Sequence, residues 1–286
     1  MNNLNTKNIV FVTGAFVSHT GWHDWQTYFE SKGYNTIAPS WPHKDDSASA
    51  LRKKHPLSNP GLANLTLTEL VDHYANIVKG FPEKPIVIGH SLGGLITQII
   101  VNRGLAAAGV AIHSVPPQGV FPYEFSFLKA GWEVLGLFTS LKKTYLMSFK
   151  KWQYAFVNGM PLAEQQKAYD ENTIPESKRV ARGGLTSAAA VDFNKAHPPL
   201  LLTSGSTDTI IPAHLNNRNF KKYKQREDSI LEYKEFEGRN HFVVGLPTWK
   251  EDADYILGWL GKLSGTKQPT NGSINASHAQ EIAETH

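Results

Sequence analysis

The chain has 286 residues, 41% hydrophobic and 19% charged, a balance that belongs to a folded globular chain and excludes a disordered one. Its 29 basic and 25 acidic residues leave a formal charge of +4, too small and too evenly spread over the whole to indicate nucleic acid or an anionic membrane as a partner. With no cysteine, disulfides, thiolate chemistry and cysteine-based metal sites are excluded.

The N-terminus, MNNLNTKN, lacks the basic stretch and apolar run of a signal peptide, and no apolar stretch reaches the length of a membrane-spanning helix. A soluble, cytoplasmic chain is therefore expected. Short apolar runs follow in order: IVFVT from Ile9, NTIA from Asn35, PIVIG from Pro85, GVAIH from Gly109, PLLLTS from Pro199 and LEYKEF from Leu231. Most are continuous rather than alternating, as parallel strands covered on both faces require. Between them lie helical patterns. Leu67, Leu70, Val71, Tyr74, Ile77 and Val78 recur at helical spacing behind a capping box of Thr66 and Glu69. A second box, Thr248 with Glu251, opens a helix carrying Trp249, Ile256, Trp259 and Leu260. Strands alternating with helices predict an α/β fold with a mostly parallel sheet of about six strands.

From Pro116 to His197 the rhythm breaks into aromatic-rich helical patterns, too long a stretch for a connection. A helical cap over the sheet explains it. The expected division is residues 1–115 and 198–263 as core, 116–197 as a cap or lid, and 264–286 as a flexible polar tail.

The stretch Gly89-His90-Ser91-Leu92-Gly93 links a strand pattern to a helix pattern carrying Leu95, Ile96, Ile99 and Ile100. G-x-S-x-G in this context places serine on a sharp strand-to-helix turn, its hydroxyl held clear of the sheet. The hydroxyl needs a base to become nucleophilic, and the helix that follows aims backbone N–H groups at developing negative charge. No His-Glu-x-x-His motif and no dinucleotide or phosphate-loop glycine spacing is met. The reading carries no metal and no cofactor.

These residues resemble the α/β-hydrolase superfamily, a serine hydrolase of esterase type, over roughly residues 8 to 262. That family's triad runs Ser, acid, His. The resemblance nominates Ser91, then Asp208 in GSTDTIIP, then His241 in EGRNHF, each after a predicted strand. The strand before the insertion ends in His113-Ser114-Val115-Pro116 without a carboxylate, so Asp208 is preferred as the acid. The resemblance also implies an oxyanion hole from the backbone N–H of Leu92 and that of Ala15, or of Phe16, in the loop Thr13-Gly14-Ala15-Phe16, where many members have His-Gly. His19 and Trp22 either line the entrance or pack the next helix. Phe16, His90, Trp132 and Phe242 are candidates for substrate binding.

The activity implied is hydrolysis of a small, hydrophobic carboxylic ester, or a lactone, thioester or amide, through an acyl-enzyme. A lyase, a carbon–carbon hydrolase, a cofactor-free oxygenase or a small-molecule receptor on the same triad are the alternatives. Hydroxynitrile lyase is disfavoured because Phe242 follows His241 and Gly14 fills the aligned threonine position. A small molecule is the expected partner; nucleic acid and membrane are not, and the oligomeric state is open.

Overall fold

The computed structural model describes residues 4–136 and 138–265. The predicted polar tail, apart from Ser264 and Gly265, lies outside the described residues. Six strands form one parallel sheet: β1 (Asn8–Val12), β2 (Asn35–Ile37), β3 (Ile86–His90), β4 (Ala108–Ile112), β5 (Leu200–Gly205) and β6 (Leu231–Phe236), in the order β2-β1-β3-β4-β5-β6. Each corresponds to one of the apolar runs.

The strand period of two sorts the apolar residues onto two faces. Val10, Val12, Val87, Ala111, Leu200 and Leu202 pack into one core with the helix Leu67–Lys79 and the helix Leu92–Asn102. Ile9, Phe11, Ile86, Ile88, Val110 and Leu201 pack into the other, against the helices His23–Glu30 and Trp249–Leu263. Both faces being covered explains why the runs do not alternate with polar residues. Each of the Val, Leu, Ile and Phe side chains contributes about 1.5–3 kcal/mol on burial. Phe11 stacks on Trp22 with ring centroids 4.7 Å apart, so Trp22 packs the sheet face.

The capping box of Thr66 and Glu69 forms in both directions. The second predicted box does not. Thr248 is the N-cap of Trp249–Leu263, but its side chain makes no capping bond. Glu251 is instead taken up by the Arg239 guanidinium, which also binds Asp252 at 2.9 Å. A charged partner outcompetes the local backbone N–H.

Between β4 and β5 lie helices Phe125–Leu135, Phe149–Ala155, Leu162–Asn172 and Lys178–Gly183, and no strand among the described residues. Sequence order reverses across β1, which has β2 on one side and β3 on the other. At such a switch point the loops leaving the strand ends part, and a crevice opens at the carboxyl edge of the sheet.

Candidate active site

Ser91 stands between the last residue of β3 and the first of the helix Leu92–Asn102, with φ 58° and ψ −119°. A non-glycine residue here is strained by roughly 1–3 kcal/mol. Its neighbours permit it. A Cβ on Gly93 would lie 2.1 Å from the Val12 carbonyl oxygen, and one on Gly89 would lie 2.1 Å from that of Gly93. Only glycine lets the turn pass this close to β1.

Asp208 follows β5 and His241 follows β6. His241 Nε2 lies 2.9 Å from Ser91 Oγ, and His241 Nδ1 lies 2.7 Å from Asp208 Oδ2. The three residues, nominated from positions 91, 208 and 241, are thus one hydrogen-bonded chain. Ser91 is 6% exposed, Asp208 4% and His241 0%. The other carboxylate oxygen of Asp208 accepts the N–H groups of Ile210 and Ile211 at 2.9 and 2.8 Å.

A second imidazole shares the acid. His113, which follows β4 with φ 44°, has Nδ1 2.9 Å from the same Asp208 Oδ2. Burial pushes the Asp208 carboxyl up, but His241 and His113 outweigh it and hold the group well below the ordinary carboxylate value. An ionised carboxylate only accepts, so both Nδ1 atoms donate, and His241 Nε2 is left to accept the Ser91 hydroxyl. His113, Asp208 and His241 also form a grouping of metal-ligand type; their facing atoms are engaged with one another in these hydrogen bonds. His90 lies 4.8 Å from the His241 ring, and its own titration is pushed far down, first by burial and then by the charges of His241 and His113. It stays neutral beside them.

The loop after β1 is pinned from the insertion. Glu176 Oε2 accepts the Phe16 N–H at 2.9 Å and the Lys44 ammonium at 2.8 Å, and Glu176 Oε1 accepts the Ser177 N–H at 3.0 Å. Lys44 and Glu176 side chains are only 2% and 1% exposed. Burial pulls the Lys44 ammonium below its ordinary value, against the opposing pull of Glu176. Of the two N–H groups weighed in this loop, that of Phe16 is occupied. The Ala15 N–H has no acceptor among the described residues, and Leu92, as the first helical residue, has no intrahelical acceptor either.

Two cavities flank this loop. One, of about 370 Å³, is lined by Ser91, Leu92, Ala15 and Phe16 at its base and by Phe127 and Val134 of the insertion. The other, of about 440 Å³, is bordered by Thr13, Gly14, His90, Phe242 and charged residues including Asp24 and Lys167. Phe156 lines both, and its ring meets His241 edge-on at 4.9 Å.

The four substrate-binding candidates therefore separate. Phe16 shares the cavity with Ser91. His90 and Phe242 border the second cavity instead. Trp132 lines neither and is 60% exposed, because the helix Phe125–Leu135 turns Phe127, Gly131 and Val134 inward. His113, Phe156, Glu176 and Lys44 were not singled out from the sequence. His113 alone carried a signal, its place at a strand's carboxyl end. Asn158 fastens the insertion to both loops: its side-chain amide donates to the Thr207 carbonyl at 2.8 Å, and its own carbonyl accepts from Asn240 at 2.9 Å.

Residues 9–252 match the model of the alpha/beta hydrolase family. No curated protein matches the sequence. Among solved structures, a monoacylglycerol lipase of Paleococcus ferrophilus superposes with a TM-score of 0.62 at 21% identity, over 92% of this chain and 100% of its own. Tomato methylketone synthase I, complexed with 2-tridecanone, gives 0.64 at 16% identity, over 91% and 100%. The methylesterase MES16 from Arabidopsis gives 0.61 at 13% identity, over 89% and 99%. At these identities the likeness is one of fold. The match of the family model over most of the chain goes further: this chain belongs to the alpha/beta hydrolase family.

Proposed function

We propose that the chain is a serine hydrolase that cleaves a carboxylic ester with a hydrophobic acyl group through an acyl-enzyme. The observation that carries this reading is the chain Ser91 Oγ, His241 Nε2, His241 Nδ1, Asp208 Oδ2, at 2.9 and 2.7 Å, opening into an apolar cavity of about 370 Å³. A cavity of that volume, lined mainly by aliphatic and aromatic side chains, suits a small apolar ligand.

In this reading Ser91 Oγ attacks the ester carbonyl carbon while His241 Nε2 takes its proton. The carbonyl oxygen becomes an oxyanion that accepts from Leu92 N–H and Ala15 N–H; occupation of the Phe16 N–H by Glu176 favours Ala15 as the second donor. Collapse breaks the bond to the alkoxide, which leaves as alcohol with the proton from His241. Water then repeats the sequence on the acyl-Ser91, with His241 again as base, releasing the acid. Asp208 holds the His241 tautomer and stabilises its charged form. The insertion acts as a cap whose inner face is the acyl wall. The fold neighbours include a methylesterase, a lipase and a protein solved with an apolar ketone, which agrees with ester chemistry on apolar molecules.

The acyl wall is testable at Gly131, which lines the cavity and has no atom within 4 Å of where its Cβ would be. With p-nitrophenyl esters of graded acyl length, Gly131→Leu is expected to shift the kcat/KM optimum to shorter chains and to spare the acetate ester. An unchanged optimum would place the acyl group elsewhere.

A further inference from the structure

The helix Phe125–Leu135 is apolar on both sides. Phe127, Gly131 and Val134 face the cavity that holds Ser91. Phe125, Leu128 and Trp132, at helical spacing on the other side, are 78%, 49% and 60% exposed. Phe121, Leu185 and Phe138 are exposed as well, at 76%, 62% and 93%. Helices on a solvated surface normally carry one apolar stripe and a polar outer face, and contiguous exposed apolar patches of this kind mark interaction sites.

Two observations say what covers this one. Phe121 and Leu185 belong both to the exposed patch and to the lining of the Ser91 cavity. The patch therefore adjoins the chamber where an acyl chain would sit. The charge of the segment that carries it is also one-sided. Residues 121–151 hold five lysines against two glutamates, a surplus of three out of the whole chain's +4. Glu124 is already neutralised by Arg218 and Glu133 by Lys151, whereas Lys129, Lys142, Lys143 and Lys150 are exposed. The even spread of charge expected from the whole-chain total does not hold locally.

We propose that this face docks on an anionic lipid surface, with Phe125, Leu128 and Trp132 entering the interface and the flanking lysines meeting the headgroups. Apolar side chains alongside lysines make up the two signals that give stable interfacial binding. A second copy of the chain fits less well, since pairing like faces brings two lysine-rich segments together. The docking does not depend on hydrolysis. The role it implies does rest on the hydrolase reading: the esters that reach Ser91 are lipid-borne and enter past Phe121 and Leu185 without crossing water.

The test is flotation of the full chain with vesicles of phosphatidylcholine containing about one-third phosphatidylglycerol, and with pure phosphatidylcholine. Wild type and Ser91→Ala are expected to float with the anionic vesicles, at least tenfold more than with neutral ones. Phe125→Glu/Leu128→Glu, which alters only outward positions, is expected to stay at the bottom while hydrolysing p-nitrophenyl acetate like wild type. Failure of wild type to float on either vesicle overturns the proposal, as does equal flotation of the double variant. A wild-type dimer in sedimentation that the same substitutions convert to monomer overturns it too, by assigning the face to a second copy. Loss of ester hydrolysis by wild type with flotation intact would contradict the hydrolase reading alone.

Discussion

Glu176 shows how one buried carboxylate can set the geometry of a distant loop. It sits in the insertion yet holds the Phe16 N–H, 160 residues away, and neutralises Lys44. Glu176→Leu strands a buried ammonium and a backbone N–H, so a loss of about 3–5 kcal/mol is expected in urea unfolding. Lys44→Met/Glu176→Leu should recover most of that loss. In both variants kcat is expected to fall more than KM rises, because Ala15 rides on the freed loop; unchanged kcat would remove Glu176 from the account. Asp208 makes a pH-dependent contribution of its own. Its folded-state pKa is held below the ordinary 3.8 by His241 and His113, despite its burial. A depressed carboxylate stabilises the fold above its unfolded pKa and loses that contribution as pH falls toward the folded value. The stability advantage of wild type over Asp208→Asn is therefore expected to be full at pH 6 and to shrink as the pH is taken below about 4. A constant difference across that range would show that the carboxylate charge does not matter.

At the scale of elements, the turn from β3 into the helix Leu92–Asn102 depends on closeness to β1. Gly93→Ala drives a methyl group onto the Val12 carbonyl, 2.1 Å away, against backbone that cannot swing aside. Overpacking of this kind costs about 1–3 kcal/mol, a Tm drop of about 2–5 °C for a chain of this size. Gly131→Ala, where the added carbon meets open space, should leave the Tm level or slightly raised, since alanine is the better helix former. If the two variants melted alike, the close approach would not be what requires glycine at position 93. The strands themselves were legible in the sequence because double-sided burial writes each as an unbroken apolar run, and all six runs fall on β1 to β6. The helix Phe125–Leu135 was less legible. With apolar residues on both faces its phase is ambiguous, and Trp132 could be read as a cavity wall although it points outward.

Across the whole molecule, the sheet gathers residues 91, 208 and 241 at one edge. They were nominated by the resemblance to a family whose triad runs Ser, acid, His, each after its own strand pattern. What sequence could not supply were partners defined only by folding: Glu176 with Phe16, and His113 on the oxygen that already serves His241. Neither pairing leaves a spacing or motif behind. Among the described residues no helix is long and apolar enough to cross a membrane. The central claim is that Ser91 is the nucleophile. The most direct measurement is covalent labelling by a fluorophosphonate, read by peptide mass spectrometry, together with hydrolysis of p-nitrophenyl butyrate by wild type and Ser91→Ala. The account predicts a label on Ser91 in wild type, and in the variant loss of the label together with a loss of activity of at least about 10³-fold. Labelling of another residue, or ester hydrolysis that survives Ser91→Ala, would contradict it.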